Sequence, residues 1–419
     1  MEIDQPIQAG PVKDENFITK YQDAGAVVSK SFHKLAPLFV PGASVRELCG
    51  LGDQFIEEMV APMYKSKRYE KGLAEPTSVC VNNCAFNYSP GSETLVNGVE
   101  NSYRLNIGDV TKVAMACHID GYTASICHTV VVTPPPQPGM GPYIGPGADA
   151  ICAAHFATKS VANMISTIDP SNPVTGPRLR KLVEDIAAQF HVHVSPGSRI
   201  RRVDRYLVGQ ITVDRLEEER NSKAAVEWPA PEEEEEEEAQ KRAIDPSDPA
   251  GDMLAELDNW HVMPKEAWLI DISMSSKPVD HLREHPDLKP TVYLHDVNVS
   301  YMLKLKASRA LLSEIKEKKS VYPFHIRSLT TERSLLGLKE LVDRHILVPY
   351  PVMVASPSTL IAREELTVVA KPNSSADLFC LTVPTPPSYI KSDFSLVEGT
   401  DAYMFSEGMQ SRVKMVSLE

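Results

Sequence analysis

The sequence predicts an α/β fold of the α+β kind, in which helices alternate with paired strands. Apolar residues recur three or four positions apart from Asp14 to about Pro37, and again after Ser44, which is typical of amphipathic helices. Two runs rich in apolar and β-branched residues flank Asp120 and Gly121, which predicts a long antiparallel hairpin. With 419 residues, of which 42% are hydrophobic and 24% charged, the chain can bury a sizeable core.

The remaining elements follow along the chain from these signals. Ser44 and Glu47 form a capping-box pattern at the start of the second helix. Strands are expected between 76 and 132. The proline-rich and glycine-rich stretch 133–147 is expected to be a surface connection, because its glycines do not match phosphate-binding spacings. Two further helices are expected, over 148–168 and 177–190.

The acidity of the chain is concentrated in one segment. The formal net charge is −13, and residues 214–258 account for −12 of it, with 17 acidic and 5 basic residues. Seven consecutive glutamates at 232–238 repel one another and have nothing apolar to bury, so this segment is expected to be a disordered insert. It could repel nonspecific nucleic acid, bind a basic protein partner, or serve only as a solubilising loop. The rest of the chain is nearly neutral.

Cysteine usage and the N-terminus indicate a protein of a reducing compartment. The seven cysteines are an odd number scattered through apolar surroundings, which is typical of buried reduced thiols. Cys80 and Cys84 are close in sequence, but a structural zinc site needs a second such pair, and none follows. The N-terminus lacks the features of a signal peptide, and no apolar run approaches the ~18 residues of a membrane span. We therefore expect an intracellular protein with no membrane partner.

Two clusters of basic residues are candidates for contacts with nucleic-acid phosphates. The first, named here the lysine cluster, consists of Lys65, Lys67, Arg68 and Lys71. The second, the arginine cluster, consists of Arg199, Arg201, Arg202 and Arg205. Arginine is suited to bidentate phosphate recognition. A solvated surface would also explain the lysine cluster, and salt bridges to Asp204 and nearby acids would also explain the arginine cluster.

Several ordered blocks of the sequence resemble one known family. Between 76 and 132 these blocks are PTSVCVNNCAFNYSP and YRLNIGDVTKVAMACHIDGYTASICHTVVV, and later ones are LKLKASRALLSEI, HILVPYPVMV and REELTVVAKPN. They resemble the proliferation-associated or curved-DNA-binding proteins, which are non-peptidase relatives of the type 2 methionine aminopeptidases. The chain is most similar to a fungal-like member, and the resemblance covers about residues 15–385.

The resemblance implies the pita-bread fold of creatinase and the methionine aminopeptidases. In that fold, two α/β halves related by a pseudo-twofold axis place curved antiparallel sheets around a central pocket, with helices outside. The expected organisation is a disordered N-terminus (1–13), a pita-bread domain (14–385) that contains the acidic insert (214–258), and a C-terminal tail (386–419).

The resemblance also locates a vestigial two-metal site. The aminopeptidases hold their ions with ligands at five positions, and three of these are lost here, at Ala114, Ser125 and Ser198. Carboxylates remain at Asp271 and Glu365. A two-metal hydrolase needs anionic oxygens to hold both ions and to generate a hydroxide nucleophile. We therefore expect a pseudoenzyme with no catalytic residues, no bound metal and no cofactor.

The function implied by the resemblance is binding to structured RNA, notably the large ribosomal subunit near the nascent-chain exit, and to DNA. The implied roles are in ribosome production, translation and growth control, in the cytoplasm and nucleus, with the nucleolus as an option. We expect the two basic clusters to make the phosphate contacts, which position a protein on nucleic acid without reading its sequence.

Two other functions are open on the sequence alone. An active metallo-aminopeptidase would bind metal through Asp271, Glu365 and a histidine such as His193. Alternation along a strand would place His193 on the same face as His191. Histidines with a purely structural role are, however, commoner than histidines that bind metal. A pseudoenzyme could instead capture peptide N-termini in the vacated pocket, but Asn87 replaces the histidine that contacts substrate in the aminopeptidases. The enzyme requires stoichiometric metal, whereas the RNA-binding protein requires salt-sensitive affinity for RNA.

Overall fold

The computed structural model describes most of the chain outside the acidic insert. The described residues are 16–66, 69–91, 95–96, 99–100, 103–134, 141–166, 174–203, 205, 226–229, 266–319, 321–330, 334–371, 374–382, 388–408 and 413–415. The predicted disordered N-terminus and most of the acidic insert lie outside these residues. So do two members of the lysine cluster, Lys67 and Arg68.

Helices and strands alternate in the order expected of an α+β protein. The helices are α1 (Phe17–Leu35), α2 (Val45–Val60), α3 (Pro146–Ile165), α4 (Gly176–Gln189), α5 (Lys306–Lys318), α6 (Ser334–Asp343) and α7 (Asp401–Tyr403). The strands are β1 (Lys71–Val81), β2 (Cys84–Phe86), β3 (Leu95–Val96), β4 (Val99–Glu100), β5 (Val110–Ile119), β6 (Tyr122–Val131), β7 (His193–Val194), β8 (Arg199–Val203), β9 (Val226–Glu227), β10 (Ala267–Ser275), β11 (Arg283–Glu284), β12 (Val292–His295), β13 (Phe324–His325), β14 (Leu347–Tyr350), β15 (Met353–Val354), β16 (Ile361–Lys371), β17 (Ser374–Cys380) and β18 (Val413–Met415).

A ten-stranded sheet connects the two halves of the described chain. Its main path runs β1-β5-β6-β16-β10-β8-β9, while β17 pairs with β16, β18 pairs with β17, and β7 pairs with β10. Helices α1 and α2 pack on β1, β5 and β6, and helix α3 packs on β10 and β16 with α4 beside it. Strand β16 joins the halves because it pairs with both β6 and β10.

The hairpin predicted around Asp120 and Gly121 is confirmed. Strands β5 and β6 pair in antiparallel register from Val110 opposite Val131 to Ile119 opposite Tyr122. Asp120 and Gly121 adopt φ values of +55° and +83°, in the left-handed region that aspartate and glycine tolerate. All residues of β5 are buried, because α1 and α2 pack against this part of the sheet.

The helices bury apolar faces against the sheet, as the periodicity predicts. On α1, Phe17, Tyr21, Val28 and Leu35 are all buried. Helix α3 is rich in alanine, and its small side chains let it lie close to β10 and β16. None of the described helices combines the length and apolar character needed to cross a membrane.

All seven cysteines are free thiols and are buried, as the composition predicts.

A smaller unit follows β10 in the chain. Strands β13, β12 and β14 form a three-stranded sheet in that order, and helices α5 and α6 pack against each other. Leu311, Ile315 and Leu341 form part of its apolar core. Strand β14 ends at Tyr350, which brings this unit to the central pocket.

The packed chain extends beyond the predicted domain boundary at residue 385. Asn163 Nδ2 on α3 donates to the Phe405 carbonyl at 2.6 Å, and Ser392 Oγ donates to Asp149 Oδ1 at 2.6 Å. Phe405 is buried, and β18 adds a parallel strand beside β17. The polar composition of residues 386–419 gives no local sign of these contacts, which anchor the described residues 388–408 to the rest of the chain.

Candidate functional site

The metal-ligand positions of the resembled enzymes lie on one row across the sheet. Ala114 on β5 is opposite Cys127 on β6, and Cys127 is opposite Glu365 on β16. Glu365 is opposite Asp271 on β10, and Asp271 is opposite Arg199 on β8. Residues directly opposite one another share a face of a sheet. The strand register therefore brings both retained carboxylates together with residues from three other strands.

The three substituted positions supply no replacement for the lost ligands. Ala114 has no side-chain ligand atom, and Ser125 offers only a buried neutral hydroxyl. Ser198 Oγ lies 2.8 Å from the Ser195 carbonyl oxygen and accepts a hydrogen bond from the Ser273 N–H at 3.0 Å. The Ser198 hydroxyl is therefore committed to backbone groups.

The guanidinium of Arg363 lies between the two retained carboxylates. Its Nε donates to Asp271 Oδ1 at 2.6 Å, and its Nη2 donates to Asp271 Oδ2 at 2.9 Å. The same Nη2 donates to Glu365 Oε2 at 2.5 Å. The Asp271 side chain is fully buried, and those of Arg363 and Glu365 are nearly so. A paired, bidentate arginine–carboxylate contact is among the stronger hydrogen-bonded ion pairs. The guanidinium of Arg363 thus offsets charge of the carboxylates at the two retained metal-ligand positions.

Burial and electrostatic attraction shift the pKa values of Arg363 and of two neighbouring carboxyl groups. Burial opposes the charge on Arg363, but the carboxylates of Asp271 and Glu365 outweigh it and raise the pKa of the guanidinium well above its ordinary value. Burial raises the pKa of Glu365, and Arg363 partly compensates. Burial likewise raises the pKa of Glu75, on β1, to about 7. Arg363 therefore favours the charged form of Glu365, against the effect of burial on the pKa.

Neighbouring residues hold the Arg363 side chain in place. Its Cζ lies 4.9 Å from the centre of the Phe86 ring, within range of a cation–π contact. Gly197 lies against that ring with φ +87°, and a Cβ at this position would come within 2.9 Å of Phe86 Cε2.

Asn87 adopts φ +68°, and its Nδ2 donates to the Pro351 carbonyl at 2.9 Å. The side chain at the substrate-histidine position is therefore bonded to backbone.

The residues of this row do not fit a pair of divalent ions. Such ions need several anionic oxygens, and both carboxylates here already accept hydrogen bonds from a buried guanidinium. Among the described residues, no three His, Cys, Asp or Glu side chains form a group that could hold a metal. His193 is exposed and pairs with Ser275, four residues along β10 from Asp271, or ~13 Å. His191 instead contacts the Phe394 ring.

The arginine cluster lies on and just after β8, and each member has an acidic neighbour. The pairs are Arg199 with Asp271 (3.3 Å), Arg201 with Glu227 (3.9 Å), Arg202 with Glu266 (2.9 Å) and Arg205 with Asp120 (2.7 Å). Three of these arginine side chains are 15–17% exposed, whereas Arg205 is 39% exposed. Arg205 is therefore the member of the arginine cluster that is best placed to reach a nucleic acid. Phosphate binding by the arginine cluster stays a prediction.

The structure describes two residues of the lysine cluster. Lys65 is exposed just after α2. Lys71 Nζ donates to the carbonyl oxygens of Ala61, at 3.1 Å, and Met63, so this side chain is tied to the end of α2. Phosphate contact by the lysine cluster also stays a prediction.

The sequence analysis did not single out Arg363, Glu75 or Tyr350. A signal for Arg363 was present, because residues two apart on a strand share a face, and Arg363 precedes Glu365 by two. Glu75 and Tyr350 reach the pocket from β1 and β14. No local pattern connects those distant strands with the metal-ligand row.

Comparison with known proteins identifies the family. The sequence model of metallopeptidase family M24 matches residues 19–203. The protein named probable metalloprotease arx1, of Schizosaccharomyces pombe, is 63% identical over 418 residues, which cover 100% of each chain. This chain belongs to the Arx1 family. Proliferation-associated protein A of Dictyostelium discoideum is 29% identical over 394 residues, covering 94% of this chain and 89% of its own. The resemblance to the proliferation-associated proteins is therefore confirmed.

A solved structure of a thermophilic Arx1 has the same fold as this Arx1-family chain. The TM-score is 0.75 at 19% sequence identity, over 96% of this chain and 100% of the other. The predicted pita-bread fold, with two α/β halves, is confirmed. In this Arx1-family protein, Arg363 contacts both carboxylates of the metal-ligand row.

Proposed function

We propose that this Arx1-family protein is a pseudoenzyme that binds structured RNA, with the large ribosomal subunit as its target. The observation that supports the loss of catalysis is the bidentate pairing of Arg363 with Asp271 together with its contact to Glu365. Metal-dependent hydrolysis requires an ion that lowers the pKa of bound water. A guanidinium provides positive charge but no open coordination position for water.

A metallopeptidase is the competing proposal, and the name of the fungal relative suggests it. That function would require Arg363 to move away from Asp271 and Glu365. Two metal ions would then have to bind at a site that has carboxylates at only two of its five ligand positions. Removing a buried guanidinium takes the Arg363 contacts away from Asp271 and Glu365 and leaves only Arg199 beside Asp271, which is strongly unfavourable. The charges of the described pocket therefore favour the pseudoenzyme.

The RNA-binding part of the proposal rests on the family resemblance and on charge distribution. Outside the acidic insert the chain is nearly neutral, so local cationic surfaces decide where phosphates can bind. Lys65 and Arg205 are the described basic side chains that support such contacts. We also propose DNA as a second ligand, a basic protein partner for the acidic insert, and a location in the cytoplasm and nucleus.

Reversing the charge at Lys67 and Arg68 together should weaken association with the large ribosomal subunit about tenfold or more at ~0.1 M salt. The expected reason is that two attractive phosphate contacts become repulsive. Co-sedimentation of the Lys67→Glu, Arg68→Glu variant with large subunits, across a salt series, measures the effect. The slope of log affinity against log salt should become shallower by about one to two.

The matched control is the variant Lys277→Glu, Lys289→Glu, which reverses two exposed charges elsewhere. This control should co-sediment like the wild type. Equal co-sedimentation of both variants would remove the lysine cluster from the interface.

A further inference from the structure

Near the metal-ligand row, Nε of Arg199 and two further donor groups have no hydrogen-bond partner within the described part of the chain. The two further groups are Nε of Arg201, on β8, and the hydroxyl of Tyr350, at the end of β14. Tyr350 is 6% exposed, and the Arg201 side chain is 15% exposed. A buried donor without an acceptor costs free energy, and native proteins rarely leave one. These two donors therefore point to a ligand that accepts hydrogen bonds.

A second guanidinium lies beside these donors. Arg199 and Arg201 are two residues apart on β8, so their side chains project from the same face, next to Asp271. Arg199 Nε is 3.3 Å from Asp271 Oδ2 but is not aligned for a hydrogen bond. Burial raises the pKa of the Tyr350 hydroxyl, and both guanidiniums lie close enough to oppose that shift. The three side chains thus share one end of the pocket.

The positive charge at this end of the pocket is only partly compensated. Arg201 Nη1 lies 3.9 Å from Glu227 Oε1, and the Glu227 side chain is 58% exposed. A loose ion pair with an exposed carboxylate contributes little. Burial, reinforced by repulsion from Arg199, lowers the pKa of Arg201 to about 10. An added negative charge would therefore stabilise the Arg201 guanidinium.

We propose that Arg201, Arg199 and Tyr350 form a binding site for a single carboxylate on a compact ligand. Arg201 Nε–H and the Tyr350 hydroxyl would each donate to a carboxylate oxygen, and the guanidiniums would balance its charge. This site is separate from RNA binding and does not depend on it.

The surroundings favour a carboxylate over a phosphate. The side chains of Arg199 and Arg201 are 17% and 15% exposed, which is too little to meet a nucleic-acid backbone. Three carboxyl groups, those of Glu75, Asp271 and Glu365, already lie near the guanidiniums. The guanidiniums can therefore balance the single negative charge of a carboxylate better than the higher charge of a phosphate.

N-acetyl-leucine is a suitable probe, because it carries one carboxylate on a small apolar body, and N-acetyl-leucinamide is its uncharged match. Calorimetric titration of the full chain at constant ionic strength should give saturable binding of the acid and none of the amide. Arg201→Gln should weaken binding about tenfold or more, since a charged donor is lost. Arg344→Gln, which changes an exposed arginine elsewhere, should bind like the wild type.

The Tyr350→Phe variant tests the site without changing its charge. It removes only a hydroxyl that has no partner among the described residues, so the protein should be at least as stable as the wild type. Affinity for N-acetyl-leucine should nevertheless fall about threefold or more. Binding of inorganic phosphate in preference to N-acetyl-leucine would overturn the carboxylate assignment. The absence of any Arg201-dependent anion binding would overturn the site itself.

Discussion

The Arg363→Met variant should lose about 3–5 kcal/mol of its free energy of unfolding relative to the wild type. Methionine keeps much of the side-chain volume but removes the guanidinium that donates to Asp271 and Glu365. Glu365 would then lose the guanidinium that it contacts, and Asp271 would keep only its 3.3 Å contact with Arg199. Removing one partner of a buried ion pair is far costlier than removing both. Chemical denaturation followed by circular dichroism measures the loss.

Two controls separate charge from packing. Arg283→Met, which changes an exposed arginine, should alter stability by less than about 0.5 kcal/mol. Combining Arg363→Met with Glu365→Gln should recover more than half of the loss, because position 365 is then neutral and Asp271 keeps its contact with Arg199. An Arg363→Met protein as stable as the wild type would contradict the assignment of the guanidinium as the internal cation.

Replacing Asp120 by asparagine should cost about 3 kcal/mol or more. The Asp120 carboxylate lies 2.6 Å from Lys20 Nζ and 2.7 Å from Arg205 Nη2, and the Lys20 side chain is 2% exposed. Asparagine tolerates the positive φ of this turn, so the substitution removes charge and leaves backbone geometry compatible. The buried Lys20 ammonium would lose its carboxylate partner. Thermal and denaturant unfolding of Asp120→Asn test this expectation.

An exposed aspartate provides the comparison for this turn. Asp287→Asn should change stability by less than about 0.5 kcal/mol. The double variant Lys20→Met, Asp120→Asn should be more stable than Asp120→Asn alone, since the buried ammonium that lost the Asp120 carboxylate is removed as well. Additive losses in the double variant would show that Lys20 and Asp120 do not stabilise each other.

Local patterns were sufficient to predict elements but not their assembly. The apolar periodicity of α1 and the turn at Asp120 and Gly121 depend on residues close together in sequence, so both could be predicted. The pairing of β16 with both β6 and β10 joins distant segments. That topology came only from the resemblance to a known family.

For the candidate site too, some features could be expected before the structure was known and others could not. The resemblance implies the loss of ligands at Ala114 and Ser125, because it locates the ligand positions and neither side chain offers an anionic oxygen. The role of Arg363 depends on burial and on the register that places Asp271 opposite Glu365, which are tertiary properties. The salt-bridge alternative for the arginine cluster could be stated from sequence, but its distant partners could not be named.

Metal content tests the central claim most directly. The purified protein is equilibrated with manganese, cobalt or zinc, freed of unbound ions, and measured by elemental analysis. If Arg363 is the resident cation of the row, the protein should retain no more metal than the matched buffer. Retention of about two ions per chain would contradict the account, because a two-metal hydrolytic centre would then be present.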